Sequence, residues 1–190
     1  MKLVKKLFLA AVILFALGEI LIAVSMFTQS DERDRLNANY TSTMVNVDEK
    51  ITNLIIEATG ADVDIDYGDS LMVSLNDVYR DGLECTIENG SLKIIQKDPA
   101  VINLLGWEIP GSVVGVSSEH SSRITVILPP DLVLDNTTVN VGSGDVTIDN
   151  LNSRRVVTQV GMGNLTVQNV KSLEKYAYQV AVGVKDVRWE

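Results

Sequence analysis

The sequence predicts an all-β fold, a parallel β-solenoid-like stack of short strands preceded by one N-terminal transmembrane helix. Residues 141–153 recur as residues 160–172, with six of thirteen positions identical at a fixed offset of 19, and a fainter copy follows at 180–187. A fixed period of this length is typical of stacked copies of one structural unit. After residue 27 no helical period lasts for more than two turns, and before it lies one long apolar run.

That apolar run, residues 7–27, is expected to make residues 1–27 a membrane anchor. At about 1.5 Å per residue its 21 residues span roughly 30 Å, the thickness of a bilayer's hydrocarbon core. Three preceding lysines favour a cytoplasmic N-terminus with the rest of the chain outside. The alternative is a cleaved secretory signal with its cleavage site near 16–18, but eight further mostly apolar residues favour the anchor. Glu19 is a polar site within this span, either protonated or reached by water, or in contact with a partner helix.

Residues 28–43 are polar without apolar periodicity and are expected to form a tether, followed by an extracytoplasmic β-strand-repeat domain at 44–190. After residue 27 the chain holds 13 basic and 24 acidic residues. Such an acidic domain repels phosphate backbones, so nucleic acid is excluded as a partner. A single cysteine, Cys85, rules out an intramolecular disulfide.

Short apolar or alternating runs predict the strands that lead up to the repeats. They lie at 51–58, 61–66, 71–75, 83–87, 92–96, 123–128 and 132–134. Between the fourth and fifth of these runs, Asn89-Gly90 predicts a tight turn, because both residues adopt positive φ readily.

One stretch, the insertion at 99–118, is apolar and has no charge except that of Glu108. Exposed, it would be an interaction surface with Trp107 as its anchor. The other residues assigned to this surface are Leu104, Leu105 and Ile109. Alternatively the insertion folds down as an end cap that closes the open edge of the stack.

Within the repeats, glycines are expected to form the corners, because glycine tolerates positive φ and close backbone approach. These corner glycines are Gly142, Gly144, Gly161 and Gly163. Stacking in register places Ile148 over Val167 in a continuous core. It also places Asn150 over Asn169, which predicts a ladder of side-chain amides. The alternative topology is an up-and-down meander with 142–144 as a hairpin loop.

Residues 123–132 read Arg-Ile-Thr-Val-Ile-Leu-Pro-Pro-Asp-Leu, and 141–148 read Val-Gly-Ser-Gly-Asp-Val-Thr-Ile. This combination resembles the putative-adhesin family of bacterial β-strand-repeat domains, a family of unknown function. Its members pair a strand that ends in Leu-Pro-x-Asp-Leu with successive Gly-x-Gly-Asp-Val-x-Ile units. The resemblance covers roughly residues 50–188, although Ala181 replaces the first glycine of the third unit. It implies a surface or envelope protein, sometimes encoded with envelope-stress systems, with no catalytic residues to carry over.

The residues themselves offer little chemistry. His120 is the only histidine, and no Gly-x-Ser-x-Gly motif accompanies it. One histidine and one cysteine cannot build a zinc site unless carboxylates supply most of the ligands. A calcium site is conceivable at Asp62, Asp64 and Asp66, whose carboxylates alternate along the chain. However, Tyr67 occupies the position where the EF-hand needs glycine. We therefore expect no catalytic, cofactor or metal site, and no enzyme.

The sequence thus predicts a membrane-anchored cell-envelope β-repeat domain that acts as a non-catalytic, adhesin-like interaction module. The expected location is the cell membrane, with a single pass and the β domain extracytoplasmic. The expected partner is a cell-envelope protein or glycan, besides the membrane that holds the N-terminal helix, and the oligomeric state is left open. The alternative is an accessory subunit of an envelope-stress sensing membrane complex, with the anchor engaging its partner.

Overall fold

The computed structural model describes residues 39–97, 121–171 and 173–188, together with the backbone of two short strands at Ile102–Leu104 and Trp107–Ile109. The predicted anchor with Glu19 and positions 28–38 of the predicted tether lie outside these residues. Within the described part, no helix combines the length and the apolarity needed to cross a bilayer. Residues 40–190 belong to one compact unit.

The regular secondary structure of the described residues is almost wholly β-strand, which confirms the predicted all-β class. One 3₁₀ turn, Arg80–Gly82, joins two of the strands. The strands are β1 Tyr40–Asn46, β2 Asn53–Gly60, β3 Asp62–Tyr67, β4 Met72–Tyr79, β5 Leu83–Glu88, β6 Ser91–Gln96, β7 Ile102–Leu104, β8 Trp107–Ile109, β9 Arg123–Leu128, β10 Leu134–Ser143, β11 Val146–Ile148, β12 Leu151–Met162, β13 Leu165–Val167, β14 Val170–Lys171, β15 Lys175–Val182 and β16 Lys185–Val187.

Most strands belong to two sheets that share a stacking direction. Sheet A has the order β1-β4-β9-β3-β11-β13-β16. Sheet B has the order β5-β6-β2-β10-β12, to which β14 and β15 add alongside β12. Each coil of the chain gives one strand to sheet B and the next to sheet A. Five coils stack in parallel, namely β6–β9, β2–β3, β10–β11, β12–β13 and β15–β16. The parallel stack that the repeats predict is therefore present, and it excludes the meander.

At one end of the stack the prediction of a purely parallel arrangement is wrong. The coil β4–β5 and the strand β1 pair antiparallel with their neighbours. The cause is the predicted turn at Asn89 and Gly90, which have φ of 51° and 72° and reverse the chain between β5 and β6. A coil joined to its neighbour by a tight hairpin must run the opposite way.

A further copy of the repeat lies beside the two that the sequence displays. Residues 62–66 read Asp-Val-Asp-Ile-Asp, against Asp-Val-Thr-Ile-Asp at 145–149. In the structure β3 pairs in parallel with β11, with Val63 opposite Val146 and Ile65 opposite Ile148. This coil is the physical neighbour of β10–β11, although 83 residues separate the matching aspartates along the chain. After β1, which lies at the edge of sheet A, the described chain forms the middle coil β2–β3, then the coils on one side of it, and then those on the other side.

Between the sheets lies a narrow core made of side chains in register. Ile148 and Val167 lie opposite each other in parallel strands and are both fully buried, as the repeat predicts. Burial of one such side chain stabilises the fold by about 1.5–3 kcal/mol. The column carries on into the neighbouring coils through Ile65 and Val126, which are also buried. No single coil could shield this apolar face, so the coils stabilise each other.

The first described strand overlaps the predicted tether. Positions 40–43, which the sequence assigns to the tether, belong to β1, where Tyr40 meets the ring of Tyr79 edge-on at 5.7 Å between centroids. Hydrogen bonding to β4 supplies the strand character that this polar segment does not display as an apolar period. The insertion at 99–118 follows β6, which lies between β2 and β5, so it leaves from a corner of an interior coil. Within it, β7 and β8 pair antiparallel with each other.

Candidate functional site

The four corner glycines lie where each coil turns from sheet B into sheet A, and they are required for two different reasons. Gly144 and Gly163 have φ of 141° and 139°, a conformation that side chains disfavour. Gly142 and Gly161 have no such φ, but a Cβ on either would meet a carbonyl oxygen of the preceding coil. The distances would be 2.6 Å to Thr59 O and 2.4 Å to Gly142 O. Close stacking of the coils therefore excludes a side chain at these two positions.

Beside the glycines, a ladder of side chains ties each coil to the next. The Asp145 backbone N–H donates to Asp62 Oδ1 at 2.9 Å. Asp145 Oδ1 in turn accepts from the N–H of Asn164 at 2.8 Å and from its Nδ2 at 3.1 Å. The Val184 N–H completes the ladder by donating to Asn164 Oδ1 at 3.1 Å. The repeated Asp or Asn at this corner therefore serves as a backbone acceptor, and the neutral amide of Asn164 fills that role as well as a carboxylate.

The amide ladder predicted for the other corner is wrong. Asn150 Nδ2 donates to Asp66 Oδ1 at 2.6 Å rather than to Asn169. Asn169 itself has a φ of 54°, so its backbone departs from extended geometry at this corner. Asp66 of the β2–β3 coil lies next to this corner, and its carboxylate accepts the hydrogen bond of the Asn150 amide. The local sequence does not predict this neighbour.

Two of the three aspartates of β3, Asp62 and Asp64, form ion pairs with Arg123. Arg123 lies 3.3 Å from Asp62 Oδ2 and 3.2 Å from Asp64 Oδ2, on the outer face of sheet A. Partial burial raises the pKa of Asp64 above its ordinary value, while Arg123 lowers it and Asp62 raises it. Among the described residues no group of three or more His, Cys, Asp or Glu side chains is arranged to hold a metal ion.

The other candidate reactive groups are the thiol of Cys85 and the imidazole of His120. Cys85 is half-buried in β5, and burial raises the pKa of its thiol, so the thiolate is disfavoured. His120 lies outside the described residues.

A groove of about 600 Å³ lies on the outer face of sheet B. It crosses five coils next to the glycine corner. Its lining consists of Glu57, Ala58, Thr59, Ile95, Gln96, Lys97, Asn140, Val141, Gly142, Gln159, Val160, Gly161, Gln179 and Ala181.

Two columns of residues in register shape this groove. The polar column is Glu57, Asn140, Gln159 and Gln179, one residue from each of four neighbouring coils. The glycine column, two residues further along each coil, is Thr59, Gly142, Gly161 and Ala181. Because the inner members of the glycine column have no side chain, the polar column stands beside a strip of bare backbone.

The polar column has unused hydrogen-bonding capacity. None of its four side chains makes a hydrogen bond with another described residue. Asn140 Oδ1 is inaccessible to solvent and has no partner in the described part of the chain. A buried carbonyl oxygen without a donor is unfavourable, whereas the amides of Gln159 and Gln179, which line the groove, can pair with a ligand.

The sequence missed this groove, although a signal was present. Asn140, Gln159 and Gln179 recur at offsets of 19 and 20, immediately outside the repeat that the glycines mark. Of the predicted interaction surface, Leu104 lies in β7 opposite Trp107 in β8, and Ile109 ends β8. Leu105 lies outside the described residues. Since Lys97 lines the groove, the segment that bears Trp107 begins at the edge of the groove.

The last coil carries a second exposed surface. Tyr178 and Lys185 take inward positions that Thr158 and Leu165 hold one coil earlier, and the Lys185 ammonium lies 4.8 Å from the Tyr178 ring centroid. At the neighbouring corner Val182 and Val184 are exposed. This end of the apolar core is thus covered by a ring and a cation rather than by another coil.

Comparison with known proteins adds one family match. A family model described as Toastrack DUF4097 matches residues 51–187. No curated protein matches the chain.

Among solved structures, "a putative cell adhesion protein" from Clostridium sporogenes is 11% identical, with a TM-score of 0.49, over 80% of this chain and 100% of that one. "A putative adhesin" from Bacteroides fragilis is 10% identical, with a TM-score of 0.35, over 80% of this chain and 97% of that one. A "putative lipid binding protein" from Parabacteroides distasonis is 12% identical, with a TM-score of 0.28, over 80% and 98%. With TM-scores below 0.5, these likenesses carry no argument about the groove.

Proposed function

Because the chain belongs to the Toastrack DUF4097 family, as its resemblance to adhesin-like repeat domains predicts, we propose that it is a non-catalytic interaction module of the cell envelope. The observation that carries this proposal is the groove on sheet B, a long surface that crosses five coils and bears along one wall four polar side chains without a hydrogen bond to another described residue. Stacked coils offer such an extended contact surface, whereas an enzyme needs converging catalytic groups.

The proposal places this module outside the cytoplasmic membrane. Its support is the predicted anchor at 7–27 and the three lysines before it, which favour a single pass with a cytoplasmic N-terminus. Protease added to intact spheroplasts is then expected to digest the β domain and to leave a short membrane-embedded fragment. If the β domain resists the protease until the membrane is permeabilised, this orientation is contradicted.

The proposed partner is a protein or glycan of the envelope, bound through the groove and the neighbouring insertion. Trp107 is the natural anchor of the insertion, because large aromatic side chains dominate binding energy at interfaces. Lys97 connects the two surfaces, since it lines the groove and the insertion follows it.

Site-specific photo-crosslinking of the full chain in living cells tests this proposal. A benzophenone amino acid replaces Gln159 in the groove or Trp107 in the insertion, and Thr166, on the outer face of sheet A, is the matched control. Adducts are expected at positions 159 and 107 but not at 166. The absence of adducts at both test positions, or equal yields at position 166, would contradict the proposal.

A further inference from the structure

The groove has a spacing and a chemistry that select among envelope polymers. We propose that it binds an extended, uncharged glycan chain lying along the stacking direction, over the glycine column and against the polar column. This inference rests on the proposed function, because it assigns a ligand class to the same face.

The first argument is the chemistry of the polar column. A side-chain amide presents both a donor and an acceptor, which is what a sugar hydroxyl needs for a pair of hydrogen bonds. Three of the four side chains are amides, and none is engaged with another described residue. The side chains of Gln159 and Gln179 line the groove and can exchange such pairs of hydrogen bonds with a ligand.

The second argument is the spacing. Neighbouring coils are separated by about 4.8 Å, the hydrogen-bonding distance between strands. One sugar ring of an extended, equatorially linked chain advances by nearly the same length. A glycan parallel to the stack therefore meets one residue of the polar column for each sugar. Four coils, from Glu57 to Gln179, accommodate four consecutive sugars.

The third argument is access to the backbone. Gly142 and Gly161 carry no side chain because the preceding coil leaves no room for one. A sugar ring can thus approach the backbone there without meeting a side chain. The same requirement that fixes the stack also keeps this strip open.

The fourth argument is charge. The groove lining contains one carboxylate, Glu57, and one ammonium, Lys97, and its other side chains are neutral. The sequence beyond residue 27 has a large excess of acidic residues, so an anionic polymer is repelled as it approaches. A neutral chain suffers no such penalty.

The test measures binding of chitohexaose and cellohexaose to the full chain by isothermal titration calorimetry, with oligogalacturonate of equal length as the anionic probe. The chain is held in a polyoxyethylene detergent, because glycoside detergents would compete for the groove. At least one neutral hexasaccharide is expected to bind saturably, and oligogalacturonate to bind at least tenfold more weakly.

Variants connect this binding to the polar column. Gln159→Ala is expected to weaken neutral binding about fivefold, the effect of one lost hydrogen bond. Ala181→Trp, at an exposed position of the groove, is expected to reduce binding further by obstruction. Thr166→Ala on the opposite sheet is the control, with unchanged affinity, and unchanged thermal unfolding of all three variants verifies the fold.

The inference is overturned if neither neutral hexasaccharide binds saturably, if oligogalacturonate binds as well as they do, or if Gln159→Ala and Thr166→Ala bind alike. Its failure differs from failure of the proposed function. Protein adducts at position 159 without any hexasaccharide binding would leave an interaction module with a protein partner. The absence of adducts at both positions 159 and 107 would remove the proposed function itself.

Discussion

Replacement of Gly161 by alanine tests whether the close approach of coils governs this fold. The new methyl group would lie 2.4 Å from Gly142 O, whereas ordinary contact begins near 3.4 Å. The two coils must therefore separate locally by about 1 Å. Overpacking of this kind costs about 1–3 kcal/mol, and each stretched backbone hydrogen bond adds up to about 1 kcal/mol. We expect a loss of about 3 kcal/mol in the free energy of unfolding.

For a domain of this size, that loss lowers the midpoint of thermal unfolding by roughly 6–12 °C. Stacked coils need not unfold in one step, so calorimetry should be paired with hydrogen exchange, which will show protection lost first around β12 and β13. Ala181→Gly is the matched control, because it removes a Cβ from the same column in the exposed last coil. Its effect should stay within about 1 kcal/mol. If Gly161→Ala unfolds within about 0.5 kcal/mol of the unmodified chain, steric exclusion is not the reason for this glycine.

Three further substitutions test the core, the corner ladder and the acidic face. Ile148→Ala should lower the free energy of unfolding by about 2–5 kcal/mol in urea titration, because this side chain is fully buried, whereas Thr147→Ala on the outer face should change it by less than about 0.5 kcal/mol. Asp145→Asn should keep the acceptor and the stability, but Asp145→Ala should cost about 1 kcal/mol and speed exchange of the amide that it accepts from. The pKa of Asp64 is raised by burial from 3.8, so the folded state retains this proton when the unfolded chain loses it, and stability should fall as pH rises through that window. Arg123→Gln should raise the pKa of Asp64 further in an NMR titration, because the Arg123 charge lowers it.

The part of the fold that the sequence predicts best is the part with contiguous repeats. Val141 and Val160 recur at the same offset at which they pair, so sequence order and stacking order coincide. The β2–β3 coil escapes notice because Thr59 and Ala61 replace the two glycines, and because its neighbour in space lies far along the chain. Local pattern cannot supply such a connection, since register across a long loop is settled by the packing of the core.

The antiparallel end shows a different limit. Asn89-Gly90 predicts a hairpin correctly, because the preference for positive φ is local. The local sequence does not determine on which side of the stack the hairpin packs. That position depends on where the apolar faces of β4 and β5 can be buried. The register within the hairpin is local, since the two-residue turn itself places Cys85 opposite Ile94.

The groove could not be predicted from the sequence for a related reason. Asn140, Gln159 and Gln179 are ordinary surface amides until stacking aligns them, and only the aligned column has the spacing of a polymer. Stability and recognition are linked here through the glycine column. Gly142 and Gly161 cannot acquire side chains without parting the coils, so the depth of the groove is fixed by the fold. For the proposed glycan, specificity must then reside in the polar column and in Ala181, the exposed member of the glycine column. Changes at those positions should alter ligand preference while leaving the thermal midpoint almost unchanged, the reverse of what we expect at Gly161.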